Sequence, residues 1–379
     1  MSDQGGSEGP LERRIVDGIS TAGGVHCETT ALGVLLHHAG LDLSEAMLFG
    51  LGSGLSFVYW DSARQELPFL GGRVKPFVLT QNLARRLGVE LRAEETASAR
   101  KAWDAVRASI DAGTPVGLQL DSHDLEYFGS RVHFAGHVVA MYGYDAERAY
   151  LVDTAQQGGA VSTSLESLAR ARAARGPMSA RHRSFTVTRT VPSQGGREHL
   201  APAIVLAITA CAREFLAPPI ANLGGRGVRT ASKRVPAWFD RLADPRRDLA
   251  AIAMMMERAG TGGALFRNLY RDFLTECRDL LERESDAELV ERGRDLFAVS
   301  ALRWTQVAEL LEKAGKTGQP ADLERAGRLL EEIATIETTA MTALSTLASS
   351  GPTTPQSTHR RREDVVNADH DASTTADAR

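Results

Sequence analysis

FAGHVVAMYGYDAERAYLVD, residues 134–153, decides how the first half of this chain folds. Two apolar, strand-like runs are joined by Tyr144-Asp145-Ala146-Glu147-Arg148, a polar turn, and together they read as one β-hairpin. His137 and Asp153 lie across that hairpin from each other. Upstream, GGVHCETTALGVLLHHAG, residues 23–40, sets Cys27 between a glycine-containing loop and an apolar helical run. A helix N-terminus favours a thiolate, an imidazole can take its proton, and a carboxylate can fix the imidazole tautomer. Cys27, His137 and Asp153 are therefore the candidate nucleophile, base and orienting acid.

Outward from the hairpin, helical and strand patterns alternate between about Ile15 and Val191. A helix follows Cys27 with Leu32, Leu35 and Leu36 on one face, and a short one in LSEAMLF is capped by Ser44 or Asp42. Ser56-Phe57-Val58-Tyr59-Trp60 is an aromatic strand. VLTQNLARRLG is a helix ending on Gly88, VELRAEE a strand, and ARKAWDAVRASIDAG a helix carrying Trp103, Val106 and Ile110 on one face. PVGLQLD, HVVAMYGY, AYLVD and SFTVTR should form an antiparallel sheet. Helices first and strands in a run afterwards spell an α+β domain, not a doubly wound one.

After about Pro192 the strand signals stop, and apolar residues recur every three or four positions. In ALFRNLYRDFLTECRDLL, the residues Leu265, Leu269, Phe273, Cys277 and Leu280 form one stripe. The reading is a disordered N-terminus (1–14), a catalytic domain (15–195), a domain of four to six helices (196–347) and a disordered tail (348–379).

Composition narrows the function classes. A chain of 379 residues exceeds one ordinary core and suggests two domains. A net charge of −4 argues against nucleic acid as the partner. Three cysteines, Cys27, Cys211 and Cys277, with no CxxC pair, suit a reducing cytoplasm and no disulfide framework. MSDQGGSEGPLERRIV lacks a secretory h-region, and the most apolar stretch, Ala203–Ile208, meets Arg213 too soon to span a membrane. The expectation is a soluble cytoplasmic protein.

Other patterns compete for the chemistry. His133 lies just ahead of the same strand as His137 and faces the same side; the relation to Asp153 favours His137. Asp121, His123, Asp124, His133 and His137 could be read as metal ligands, but no helical or knuckle spacing supports them. GLGSGL follows a helix and enters a strand, the reverse of a phosphate-binding loop, and reads as a turn. Cys211 and Cys277, inside amphipathic helices, read as core.

HCETTALGVLLHHAGLDLSEAMLFGLGSGLSFVYW, PVGLQLDSHDLEYF and FAGHVVAMYGYD, in that order, resemble the butirosin biosynthesis protein H N-terminal family. GTGGALFRNLYRDFL and RGVRTASKR resemble the poorly characterised domain that often follows it. The resemblance implies a papain-like fold, with Cys27, His137 and Asp153 as the triad. It implies acyl transfer from an acyl carrier protein or acyl-CoA to a small-molecule amine, without cofactor or metal. Related processing peptidases place an oxyanion-binding glutamine shortly before the cysteine, where this chain has Thr21; Thr21 and His26 are the candidates for that role. Asp121, Asp124 and Tyr127 are candidates for binding the acceptor amine. A cysteine peptidase, amidase or thioesterase would use the same triad, and a non-catalytic assembly protein would keep only the fold. The basic runs Arg170–Arg183 and Arg226–Arg234 are candidate docking surfaces for an acidic carrier, and the helical domain is a candidate surface for a homo-oligomer.

Overall fold

The computed structural model of the chain describes residues 13–62, 65–129, 133–176, 178–189, 200–257 and 261–347. The expected tail, most of the expected disordered N-terminus and the boundary at 195/196 lie outside them. Arg14, at the end of the expected N-terminal segment, already pairs with Tyr144 in a short strand.

The first half contains strands β1 (Arg14–Ile15), β2 (Leu55–Trp60), β3 (Phe69–Arg73), β4 (Glu90–Glu94), β5 (Val116–Leu120), β6 (His137–Tyr144), β7 (Arg148–Val152), β8 (Ala160–Ser164) and β9 (Ser184–Arg189). Its helices are α1 (Cys27–His38), α2 (Glu45–Leu51), α3 (Val78–Leu87), α4 (Ala99–Asp111) and α5 (Leu165–Ala173). The main sheet is antiparallel in the order β4-β9-β5-β6-β7-β8, with β1 beside β6. The hairpin of residues 134–153 is its centre, flanked by the other strands the pattern predicts. The aromatic strand β2 instead pairs with β3 in a separate hairpin. FLGGR gives no sequence signal for β3, because two glycines erase its alternation.

Local chemistry accounts for the helix ends. The Ser44 side chain accepts the Met47 N–H at 3.0 Å and caps α2. Gly88 stops α3 in the left-handed region, φ 64°, which glycine adopts without steric cost. Val106 and Ile110 of α4 are buried against the sheet, with Trp103 partly so.

The second half is helical: α6 (Ala201–Leu216), α7 (Gly224–Arg234), α8 (Trp238–Arg241), α9 (Pro245–Glu257), α10 (Ala264–Cys277), α11 (Glu284–Thr317) and α12 (Pro320–Leu344). These seven, among the described residues, exceed the four to six that periodicity predicts; one is the four-residue α8. The described residues fall within one compact unit. One hydrophobic cluster joins Leu35, Phe49 and Phe57 of the first half to Phe215, Phe266 and Trp304 of the second. Inside it Arg267 and Glu337, both fully buried, form an ion pair at 2.7 Å, and Glu337 also accepts from Ser300 and from the Trp304 indole. Each carboxylate oxygen therefore has a donor, which a buried charge requires. No helix among the described residues is long and apolar enough to cross a membrane.

Candidate active site

Cys27 is the first residue of α1, so its backbone N–H has no partner within the helix. The loop before it is tied on two sides. The Ala155 N–H donates to the Gly24 carbonyl at 2.8 Å, which fixes the loop against the turn after β7. Gly23 lies so close to that turn that a Cβ there would sit 2.3 Å from the Ala155 nitrogen. On the other side, the Glu45 carboxylate accepts the N–H groups of Val25 and His26 and the Thr29 hydroxyl. His26 holds the N-cap position without a side-chain cap of its own. Glu45, on another helix, thus supplies the negative charge that this helix start calls for.

His137 opens β6, and Asp153 follows β7 directly. Antiparallel pairing of the two strands returns the chain so that His137 Nε2 lies 2.8 Å from Asp153 Oδ2. Nε2 is thereby committed, which leaves Nδ1 as the ring nitrogen available to the Cys27 thiol, and the interaction of the two groups raises the imidazole and lowers the thiol. Asp153 is fully buried; its Oδ1 accepts the Thr154 N–H at 2.7 Å and its Oδ2 also accepts the Tyr127 hydroxyl at 2.8 Å. Phe128 meets the His137 ring edge-on, with centroids 5.0 Å apart.

Electrostatics distinguish Cys27 from the other cysteines. Burial pushes its thiol up, but the His137 charge and hydrogen bond, Arg73 and the Val138 N–H outweigh it, and the net displacement is downward. Burial alone dominates Cys211, raised to about 12, and Cys277, also raised. For His137, burial acts against the proton, yet Asp153 and Cys27 raise the imidazole to about 10. Asp153 is held below its ordinary value, its burial offset chiefly by His137. The three shifts all run toward the charged forms, thiol toward thiolate, imidazole toward imidazolium and acid toward carboxylate.

The other residues singled out from sequence fall elsewhere. His133 is mostly exposed and pairs with Asp121 at 3.0 Å. Asp121 is buried, and it also accepts the N–H groups of His123 and Phe134, so its carboxylate is occupied within its own loop. Asp124 lies beside His123, at 3.5 Å. Among the described residues no group of three or more His, Cys, Asp or Glu is placed to hold a metal ion. Tyr127 donates its hydroxyl to Asp153 at 2.8 Å. Thr21 is exposed, its backbone carbonyl against Gly159. The His26 ring lies edge-on to Phe49 and Phe266, with centroids at 6.0 and 5.3 Å. Its Nδ1 meets Thr29 Oγ1 at 3.1 Å, and burial keeps the ring neutral. Arg172, within the first basic run, is buried and bonded to the carbonyls of Ala102 and His182, so it is no part of a docking surface.

Sequence reasoning missed Glu28 and Arg73. Glu28 follows Cys27 and is fully buried, paired to Arg73 at 2.9 Å. Its other oxygen accepts the Phe77 and Thr80 N–H groups and the Thr80 hydroxyl at the start of α3. Arg73 also donates to the Gly136 carbonyl, beside His137. A glutamate at the second position of a helix reads as ordinary dipole chemistry; only the fold gives it Arg73 and a second helix.

Fold and site define a mixed α+β protein with a central antiparallel sheet, a helical second half and a buried cysteine at a helix start beside a hydrogen-bonded His–Asp pair. Residues 26–154 match the family described as butirosin biosynthesis protein H, N-terminal, and residues 166–344 match a domain of unknown function (DUF4872). The matched stretches are thus a butirosin biosynthesis protein H N-terminal-like domain and the C-terminal domain that follows it. The second match begins in α5, so it takes in β9 of the main sheet as well as the helices. No curated protein matches the chain.

Proposed function

We propose that this chain is a cysteine-dependent acyltransferase of natural-product biosynthesis, forming an amide from a thioester and an amine. The observation that carries it is the row Cys27–His137–Asp153, with a thiol displaced downward and an imidazole displaced upward. The family description, a biosynthesis protein, supports a biosynthetic role. A nucleophile at a helix start, a base on a strand and an acid at the end of the neighbouring strand is also the layout of papain-like enzymes.

In this reading the Cys27 thiolate attacks the thioester carbonyl carbon. The oxyanion that forms takes a hydrogen bond from the Cys27 backbone N–H. Collapse breaks the carbon–sulfur bond to the donor thiol, which leaves with the proton His137 releases. The acceptor amine then attacks the acyl-Cys27 carbonyl, His137 takes its proton, and the thiolate departs as the amide forms. Asp153 stabilises the imidazolium before the first step and after the second. The donor is an acyl carrier protein or acyl-CoA, and the acceptor a small-molecule amine.

Intact-mass spectrometry after incubation with acyl-N-acetylcysteamine thioesters tests this. The wild-type protein should gain one acyl group and lose it to added amines as amide; Cys27→Ala should gain none, and His133→Ala should behave as wild type. Discharge to water alone would make the protein a thioesterase or amidase. Equal acylation of Cys27→Ala, or no acylation of the wild type by any thioester, would refute a Cys27 acyl-enzyme.

A further inference from the structure

The β2–β3 hairpin turns one face to the core and leaves the other open. Along β2, the residues Leu55, Phe57 and Tyr59 are buried, while Ser56, Val58 and Trp60 alternate with them. The alternating set, together with Phe69 and Gly71 of β3, floors a cavity of about 1110 Å³. Gly71 adds no side chain, and a Cβ there would lie 2.7 Å from Val58, so the floor is smooth at its centre. This exceeds the ~300–1,000 Å³ of ordinary small-molecule pockets.

Arg73 ties this cavity to the reacting residues. It lines the cavity at the end of β3, holds Glu28 beside Cys27, and donates to the carbonyl of Gly136 beside His137. Phe134, another wall residue, precedes His137 on the same approach to β6. With its guanidinium committed to Glu28 and Gly136, Arg73 closes the wall without offering a free charge. What remains for a ligand is mainly aliphatic and aromatic surface, and one of its wall residues, Phe134, stands three positions before His137.

We infer that the cavity houses the acyl group of the donor, and that the acyl groups accepted are elongated and largely apolar, alkyl or aryl. The inference rests on the acyl-transfer reading and names the substrate class for it. Apolar burial distinguishes chain lengths by about fourfold per methylene, so a cavity of this kind should impose a steep length preference.

Two measurements test it. Acylation of Cys27 by acetyl-, butanoyl-, octanoyl- and benzoyl-N-acetylcysteamine is followed by intact mass for the wild type and for Ser56→Phe, which fills the floor. The wild type should favour octanoyl over acetyl by at least about tenfold. Ser56→Phe should lose most of that preference through a fall in octanoyl use, and a far-ultraviolet circular dichroism spectrum matching the wild type reports that the variant is folded. In parallel, Cys27→Ala is titrated with octanoyl-N-acetylcysteamine while tryptophan emission is read, with Trp60→Phe in the same background as control. Saturable change that Trp60→Phe removes supports the cavity even if Cys27 is not acylated. Equal use of all chain lengths by the wild type, or equal losses for all donors in Ser56→Phe, would overturn the inference. Failure of every thioester to acylate Cys27, with binding intact, would refute the transfer reading and leave the cavity an apolar-ligand site.

Discussion

Asp153→Asn strikes the hydrogen-bonded row at its most buried member. All three partners of this carboxylate, His137 Nε2, the Tyr127 hydroxyl and the Thr154 N–H, are donors at 2.7–2.8 Å. A carboxylate suits them and an amide does not. With its oxygen toward His137 and Tyr127, the asparagine NH2 meets the Thr154 N–H. Turned over, the NH2 forces His137 to offer a lone pair at Nε2, which puts the proton on Nδ1 where it opposes the thiol. Either way a buried donor goes unsatisfied, at about 1–3 kcal/mol, and the imidazolium loses a charged hydrogen bond of about 1.5–3 kcal/mol. If most of the second loss falls on the thiolate–imidazolium state, reactivity should drop about 10²-fold, at about 1.4 kcal/mol per factor of ten. Alkylation of Cys27 by iodoacetamide, followed by intact mass between pH 5 and 11, measures this without knowledge of the substrate. The wild-type thiol should react with a midpoint below the ordinary cysteine range. In Asp153→Asn the neutral-pH rate should fall about a hundredfold and the midpoint should move up. An unchanged rate and midpoint would refute the electrostatic account of the site.

Three further outcomes are expected. Tyr127→Phe removes one hydrogen bond from Asp153 and should slow alkylation about three- to tenfold while leaving an acceptor's KM unchanged; a KM effect alone would restore Tyr127 as a substrate contact. Phe266→Ala removes a ring that packs on His26 from the helical half and should cost about 3–5 kcal/mol in urea unfolding. It should also slow Cys27 alkylation in the population that remains folded; an unaltered rate would show that the helical half does not position Cys27. The pH dependence of stability has a defined sign. His137 is raised in the folded state, so its contribution is full below about pH 6.5 and is lost as pH rises through about 10. Cys27 is lowered, so its contribution is present above the ordinary thiol range and is lost as pH falls through its folded value. Urea midpoints of the wild type minus those of His137→Gln should therefore narrow between pH 8 and 10.5; a constant difference would contradict the imidazolium assignment.

By itself the sequence carried the hairpin of residues 134–153, because period-two alternation around a polar turn is a local property. It carried the helix that begins at Cys27 for the same reason, and the helical second half through its repeated apolar stripes. It also singled out His137 over His133, on position relative to Asp153 alone. What it left undecided depends on which surfaces meet. Tyr127 turned from a substrate candidate into a hydrogen-bond donor to Asp153 because the loop after β5 folds back over the row. Asp121 is occupied by His133 and two backbone N–H groups. His26 is an oxyanion candidate in a string of letters, and in the structure its ring packs edge-on against the stacked pair Phe49 and Phe266, one of them 240 positions downstream. Glu45 and Arg73 gave no signal, since each meets the start of the helix that begins at Cys27 across a tertiary contact. Periodicity and caps are written in neighbouring residues. Charge pairing and burial are decided by side chains far apart in the chain, and only the packed structure brings those together.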